Sequence, residues 1–316
     1  MSRYFNIIVS DESGREKAHW FSHDRDGYLK DGALRIELTA TTTSLAFADT
    51  EGNTLLKVYG LPLKDMFQQS NYTQNFIKIY GGMKKGLPFA KPEQAGLLVQ
   101  GQIYPCYPQW EGTQQWLEFI ILGSANNSPL EPKNLIFEWK KGQKLAEALK
   151  QTFNEYHSKI TIKDIVAPAD MRGGYTRYSV LADFIKNWSL ANIKDKDYKG
   201  VNIFFSLNDG FTVTDYTTKS ENSVIEFGVA DFIGQPTWLD KGTLQCKTIA
   251  RGDCHVDDII KLPDKMLIAV SANAAIAEMD RLSFKGNFRI IGINHKLDSR
   301  NPSGDSWVSI FRLIQA

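Results

Sequence analysis

The sequence predicts an α+β chain that is mainly β, built as two related β-barrel-like domains with a small α/β insert between them. Three observations predict it. Short runs that alternate apolar and polar residues, bounded by Gly, Pro, Asn and Asp, fill both ends of the chain. Helical spacing of apolar residues appears only in the middle. The third is a repeated plan. Residues 97–122 match residues 288–313 without a gap, so that Gly101 and Trp116 fall on Gly292 and Trp307, Leu97 on Phe288, Val99 on Ile290, Leu117 on Val308, Phe119 on Ile310 and Leu122 on Leu313. Upstream, Ile77-Lys78-Ile79 faces Ile260-Lys261-Leu262. Boundaries follow at 1–134 for the first β-domain, 135–220 for the insert and 221–316 for the second.

Residues 4–10 and 33–48 read as strands, the latter with Leu34, Ile36 and Leu38 alternating against Arg35, Glu37 and Thr39. Between them His23-Asp24-Arg25-Asp26-Gly27 reads as a solvated turn, because the remaining ligands of a calcium loop are missing. Residues 55–60 form a strand, and Pro62 opens a short connector helix near residues 61–67. Residues 75–80 form another strand, which Gly81-Gly82 is expected to end at a tight turn. Residues 105–112, rich in proline and aromatics, read as the loop of the first hairpin, with Tyr107 and Trp110 as a candidate partner surface. Polar residues 296–306 form the longer loop of the second.

In the insert, Leu145, Leu149, Phe153 and Tyr156 share one helical face, and Leu181, Phe184, Ile185 and Trp188 share another, with Ser179 placed to cap. Residues 160–166 and 201–207 read as strands. Residues 272–279 have the composition of a short helix.

Composition bounds the function. The 316 residues carry 37 Lys+Arg against 36 Asp+Glu, so no large net charge drives binding to nucleic acid or anionic lipid. No apolar run approaches transmembrane length, and the N-terminus turns acidic before a secretory segment could form. The three cysteines, Cys106, Cys246 and Cys254, read as reduced and buried. These features fit a soluble protein made in a cytoplasm.

No motif for catalysis stands out. Asp253, His255, Asp257 and Asp258, joined by His295 and Asp298, match no established metal spacing and read as a hydrogen-bonded turn. Cys254 and His255 are adjacent on an extended chain and point apart, so they form no nucleophile–base pair. Glu111 and Glu118 flank a Trp-rich hairpin as glycosidase acids do, but nothing in the sequence sets their separation. Walker and Rossmann phosphate loops are absent. The expectation is a non-enzymatic protein without cofactor, metal or catalytic residues.

The stretch Arg251-Gly252-Asp253-Cys254-His255-Val256-Asp257-Asp258-Ile259-Ile260-Lys261-Leu262-Pro263 is similar to the pattern RGD-x-H-x-GD-x-I-x-LP of the tail baseplate hub proteins of Mu-like contractile phages and prophages. His295-Lys296-Leu297-Asp298-Ser299-Arg300 followed by Trp307 resembles that family's H-x-x-D-x-R…W close. One departure is Asp257 in place of Gly, at a turn that must avoid positive φ or tolerate it through Asp. The resemblance implies a homotrimer in a virion tail baseplate, where six β-barrels ring the axis and join the tail tube to the central spike. It implies no sequence recognition of nucleic acid and no membrane insertion. Arg251, Asp253, His255, His295, Asp298 and Arg300 become a candidate structural or interface cluster, with Arg300 expected to hold a carboxylate. The competing reading is a carbohydrate-binding or glycan-hydrolysing β-protein, prompted by Trp110, Trp116, Trp238 and Trp307.

Overall fold

The computed structural model describes residues 3–43, 53–83, 94–122, 135–154, 158–175, 178–192, 200–215, 224–240, 242–263, 284 and 286–316. The first β-region contains β1 (Arg3–Ser10), β2 (Glu16–Phe21), β3 (Arg35–Thr43), β4 (Asn53–Tyr59), the short helix α1 (Leu63–Phe67), β5 (Phe76–Met83), β6 (Gly96–Glu111) and β7 (Gln114–Leu122). Strict alternation along β1 turns Phe5, Ile7 and Val9 into the core.

The middle of the chain holds β8 (Leu135–Trp139), α2 (Leu145–Thr152), β9 (Ser158–Thr161), β10 (Met171–Tyr175), α3 (Tyr178–Asn192), β11 (Val201–Ser206) and β12 (Gly210–Asp215). Two small sheets form here, β8 with β10 and β9-β12-β11, and β9 runs parallel to β12. Leu145, Leu149 and Phe153 project from α2 and its end, and Leu181 and Ile185 from α3, into a core with Phe137, Trp139, Ile203 and Val213. Phe153 stacks on Phe211 with ring centroids 4.5 Å apart. The helix α3 already includes Ser179, which therefore lies inside its first turn.

The last region holds β13 (Ile225–Glu226), β14 (Thr237–Trp238), β15 (Thr243–Ile249), β16 (Ile259–Lys261), β17 (Asn287–Asp298) and β18 (Trp307–Gln315). Residues 272–279, expected as a helix, lie outside the described residues.

The chain divides into two compact units: Met1–Thr42, Gly52–Gly123 and Asn222–Ala316 form one, and Thr43–Glu51 with Ser124–Glu221 form the other. Within the first unit the two β-regions share one hydrogen-bonded sheet, in the order β14-β15-β18-β17-β3-β4-β7-β6-β5-β1-β2, with β16 also beside β17 and β13 beside β16. The strands β3 and β17 therefore join the two regions.

A four-stranded module is repeated in this unit, as β4-β7-β6-β5 and as β15-β18-β17-β16. The row Thr54–Ile121–Ile103 across the first corresponds to Leu244–Leu313–Ile290 across the second. The next inward row, Leu56–Phe119–Cys106, corresponds to Cys246–Phe311–Ile293, and a bulge separates the two rows in both β6 and β17. Both copies carry the same clasp. Gln74 N–H donates to Ile103 O at 2.8 Å and Ile103 N–H to Asn75 O at 2.8 Å, while Asp257 N–H donates to Ile290 O at 2.8 Å and Ile290 N–H to Asp258 O at 2.9 Å. Gln74 and Asp257 share a left-handed backbone, with φ of 67° and 80°. So the Asp standing where Gly was expected tolerates positive φ.

The gapless alignment of the two hairpins does not hold. It sets Phe119 and Ile121, both buried, against half-buried Ile310 and exposed Arg312, which inverts the pleat. In the observed register Gly101 falls on Phe288 and Trp116 on Val308, because the connections between strands differ in length. Only the upstream equivalence survives, with Ile77 on Ile260 and Lys78 on Lys261, since each pair lies at the same distance past the clasp. Two further expectations are corrected. Residues 105–111 are not a loop, since β6 runs to Glu111 and turns through Gly112 and Thr113. Gly81 and Gly82 do not end their strand, since β5 continues to Met83, and a Cβ on Gly82 would lie 2.6 Å from Ala95 Cα.

Candidate functional site

The residues singled out by the two motifs sit where one β-module meets the other. As the chain leaves β15, Ala250 N–H donates to Trp307 O at 3.0 Å and Arg251 N–H to Ser309 Oγ at 3.0 Å. The buried Arg251 guanidinium donates to Asp253 through Nε at 3.0 Å and Nη2 at 2.6 Å, the two parallel bonds a planar fork makes. Its Nη1 lies 3.7 Å from Asp231 Oδ2 without a hydrogen bond, and its Cζ lies 4.3 Å from the centroid of the Phe227 ring. Asp231 is itself held by Gly228 N–H at 2.8 Å and by Gln94 Nε2 of the first module at 3.1 Å.

Gly252 makes the closest backbone approach of the joint. Its N–H donates to Gln94 O at 2.7 Å, and a Cβ there would lie 2.5 Å from Gly96 N and 2.8 Å from Gly81 O. The motif thus places an arginine anchor, a side-chain-free crossing and a carboxylate in succession. Beyond it, Asp258 Oδ2 accepts from His255 N–H at 2.7 Å, and Asp257 Oδ1 accepts from Arg289 Nη1 at 2.7 Å. His295 is buried, with Nδ1 2.8 Å from Ser309 Oγ. Burial first, and then the neighbouring charge of His255, lower its pKa to about 4.

A second polar centre lies at the β17–β18 connection. Arg35 of β3 grips the Asp298 carboxylate with Nε at 3.3 Å and Nη2 at 2.9 Å, and Asp298 Oδ1 also accepts Arg300 N–H at 3.1 Å and Asn301 N–H at 3.2 Å. Arg3 of β1 donates to the carbonyls of Asp298 at 2.6 Å, Asn301, and Ser303 at 3.3 Å. The Arg300 side chain donates to Ala33 O, and Trp307 Nε1 donates to Gly82 O at 2.9 Å. Apart from the two loop N–H bonds to Asp298, each of these bonds crosses from the second β-region to the first.

The expected single cluster of Asp253, His255, Asp298 and Arg300 is therefore two clusters. Arg35 holds the Asp298 carboxylate in the place expected for Arg300, and Arg251 holds Asp253. Sequence reasoning missed Arg3, Arg35, Asp231, Gln94 and Ser309. Their partners lie up to 300 residues away in the chain, and no local spacing marks them.

The carboxylates named as possible metal ligands are engaged, Asp253 by Arg251, Asp257 by Arg289 and Asp258 by a backbone N–H. Burial pushes the Cys106 thiol up to about 12 and raises those of Cys246 and Cys254, which keeps all three protonated. Glu111 lies opposite Gln114 at the end of its hairpin and Glu118 lies opposite Tyr107. Four residues along a strand separate them by about 13 Å, wider than the ~6.5–9.5 Å of inverting glycosidase acids. Tyr107 and Trp110 stand exposed near that hairpin end, with Trp110 Nε1 donating to Gly112 O at 2.7 Å. Among the described residues no helix is long and apolar enough to cross a membrane.

No protein-family model matches the chain, and no curated protein matches it. Solved structures do. The 43 kDa tail protein of prophage MuSo2 from Shewanella oneidensis aligns over 100% of this chain and 98% of its own, with 8% identity and a TM-score of 0.53. The tail protein from Neisseria meningitidis MC58 aligns over 100% and 97%, with 9% identity and a TM-score of 0.49. A chain of the PdpA–VgrG complex aligns over 99% of this chain and 64% of its own, with 7% identity and a TM-score of 0.48. From end to end, the chain has the fold of a prophage tail protein.

Proposed function

We propose that the chain is a structural hub subunit of the baseplate of a contractile phage or prophage tail, made in the bacterial host cytoplasm and assembled into the virion. Three copies form a ring that joins the tail tube to the central spike. Each copy contributes two barrel-like β-domains, 1–134 and 221–316, with the insert 135–220 between them.

The observation that carries this reading is the repeated four-stranded module, welded by Gly252, Asp298 and Trp307 within a chain whose whole length follows a prophage tail protein. Two like modules per chain let three chains present nearly sixfold symmetry toward a tube and threefold symmetry toward a spike. Asp298, Arg300 and Trp307 bond to the first β-region, as expected of a joint.

The test is light scattering and negative-stain microscopy of the purified chain, alone and mixed with the tube and spike proteins of its tail. A threefold ring that binds both is expected. A chain that forms no ring under either condition, or one that hydrolyses cell-wall glycan and loses this activity on Glu111→Gln, overturns the proposal.

A further inference from the structure

The repeat exposes in one module what it covers in the other. In the second module, β17 pairs with β16 near its start and with β3 of the first module further on, where Ser299 N–H donates to Ile36 O at 3.0 Å and Asn294 Nδ2 to Thr41 Oγ1 at 2.5 Å. In the first module, β6 pairs with β5 near its start, but among the described residues no strand covers the same edge of β6 beyond Ile103. The register above makes Tyr104 the counterpart of Ile291, Tyr107 of Asn294 and Trp110 of Leu297. Ile291 and Leu297 are 7% and 2% exposed, whereas Tyr104 and Trp110 are 44% and 74% exposed. Among the described residues, aromatics stand exposed where no strand covers the counterpart positions.

The complementary edge is also present. Residues 232–238 lie along β15 as β3 lies along β4: Phe232 bridges Thr248 where Ile36 meets Val58, and Thr237 pairs with Gln245 where Thr39 pairs with Leu55. The strand β3 has β17 on its far side, but among the described residues β14 ends the sheet. Two residues past Thr39 is Thr41, which receives Asn294. Two residues past Thr237 is Leu239, a 43% exposed leucine whose counterpart partner is the 48% exposed Tyr107.

We infer that the β6 edge bearing Tyr104, Tyr107 and Trp110 docks on the β14 edge bearing Leu239 of a second copy of this chain, repeating between chains the joint that β17 and β3 make within one. The inference rests on the ring proposed above and assigns its interface. The contact is head-to-tail, so it propagates until the rotation closes. Pro108 removes a donor from the β6 edge, so this joint has fewer backbone rungs than the internal one and side chains carry more of it.

Disulfide trapping in the full chain tests it. The three native cysteines are buried, so Tyr107→Cys combined with Leu239→Cys supplies the accessible thiols. Oxidation is expected to give covalent species of two and three chains, and the control pair Phe67→Cys with Leu239→Cys to give none. No trapping in the first pair, equal trapping in both, or a bond that closes within one chain overturns the inference. The two proposals fail separately. A parent that sediments as a trimer while positions 107 and 239 stay unlinked refutes this interface and leaves the ring. Trapped chains that run on past three support the interface and refute the trimer.

Discussion

Replacing Arg251 by methionine tests the polar cluster that supports the crossing at Gly252. Arg251 is buried, forks onto Asp253 and lies 3.7 Å from the buried Asp231. Methionine fills much of the stem volume but leaves Asp231 charged in the interior. Breaking a buried pair by removing one partner costs about 3–5 kcal/mol. Asp231 retains bonds from Gly228 N–H and Gln94 Nε2, so the lower part of that range applies, about 3 kcal/mol. At roughly 2–4 °C per kcal/mol for domains of 150–250 residues, the melting temperature should fall by about 6–12 °C. The assay is thermal and urea unfolding at neutral pH, with Lys247→Met as the surface control. Lys247 pairs with the exposed Asp305 at 3.0 Å, and such a pair is worth about 1 kcal/mol or less. Adding Asp231→Asn to Arg251→Met should recover part of the loss, because it removes the stranded charge. If Arg251→Met melts like the control, or if the two substitutions simply add, the joint does not depend on this cluster.

Four further outcomes are expected. Gly252→Ala should lower the urea midpoint by the equivalent of about 1–3 kcal/mol, since its Cβ would meet only backbone atoms, Gly96 N at 2.5 Å and Gly81 O at 2.8 Å; an unchanged midpoint would show that the modules can part. Asp298→Ala should cost about 2–3 kcal/mol, because it takes from Arg35 its forked partner, leaving it only Glu37, and frees two loop N–H groups, whereas Arg300→Ala should cost less than about 1; equal effects in urea unfolding would contradict the observed pairing. His295 stays neutral in the fold down to about pH 4 but ionises near 6.5, the ordinary value of an imidazole, when unfolded. The unfolded state therefore binds more protons between those values, so its contribution is fully present above pH 6.5 and is lost as pH falls toward 4, by about 2 kcal/mol at pH 5. Urea unfolding of His295→Gln should show a shallower loss over this window, and an identical slope would remove His295 as the cause. Gln74→Gly should raise the urea midpoint by the equivalent of up to about 1 kcal/mol by relieving positive φ, while Asp257→Gly gains nothing because it also loses the bond to Arg289; a gain in both would mean that bond is worth little.

Alternation and helical spacing made the mainly β fold and the helical middle legible. Phe5, Ile7 and Val9 in β1, and Leu145, Leu149 and Phe153 in and after α2, face inward as their periods require. Register was not legible, because strand pairing depends on connection lengths that a hydrophobic pattern leaves open, and a slip of one residue exchanges the faces. Residues 105–111 read as a loop for a related reason. Proline and exposed aromatics signal a loop, yet an edge strand that runs past its sheet tolerates both. The motifs located the joint but not the partners. Arg35 and Asp298 lie 263 positions apart, and only the fold brings them together.

The two modules solve one packing problem with different residues, and the differences explain where the joint is. In one inward row the first module has Leu56, Phe119 and Cys106, and the second has Cys246, Phe311 and Ile293. A central Phe is kept, while the cysteine and the large aliphatic exchange flanks, which conserves volume across the row. Another inward pair breaks this economy, since Val58 and Leu117 correspond to Thr248 and Ser309, all four buried. A buried hydroxyl is costly unless hydrogen-bonded, and the Ser309 hydroxyl accepts from Arg251 N–H and lies 2.8 Å from His295 Nδ1. The second module thus replaces apolar core with a polar bracket that orients the chain entering Gly252, where the first module's backbone lies against it. Among the described residues no backbone crosses at Gly60, the counterpart of Ala250, and the first module keeps Leu117. The polar substitution follows the internal joint, and the exposed aromatics of β6 follow its absence.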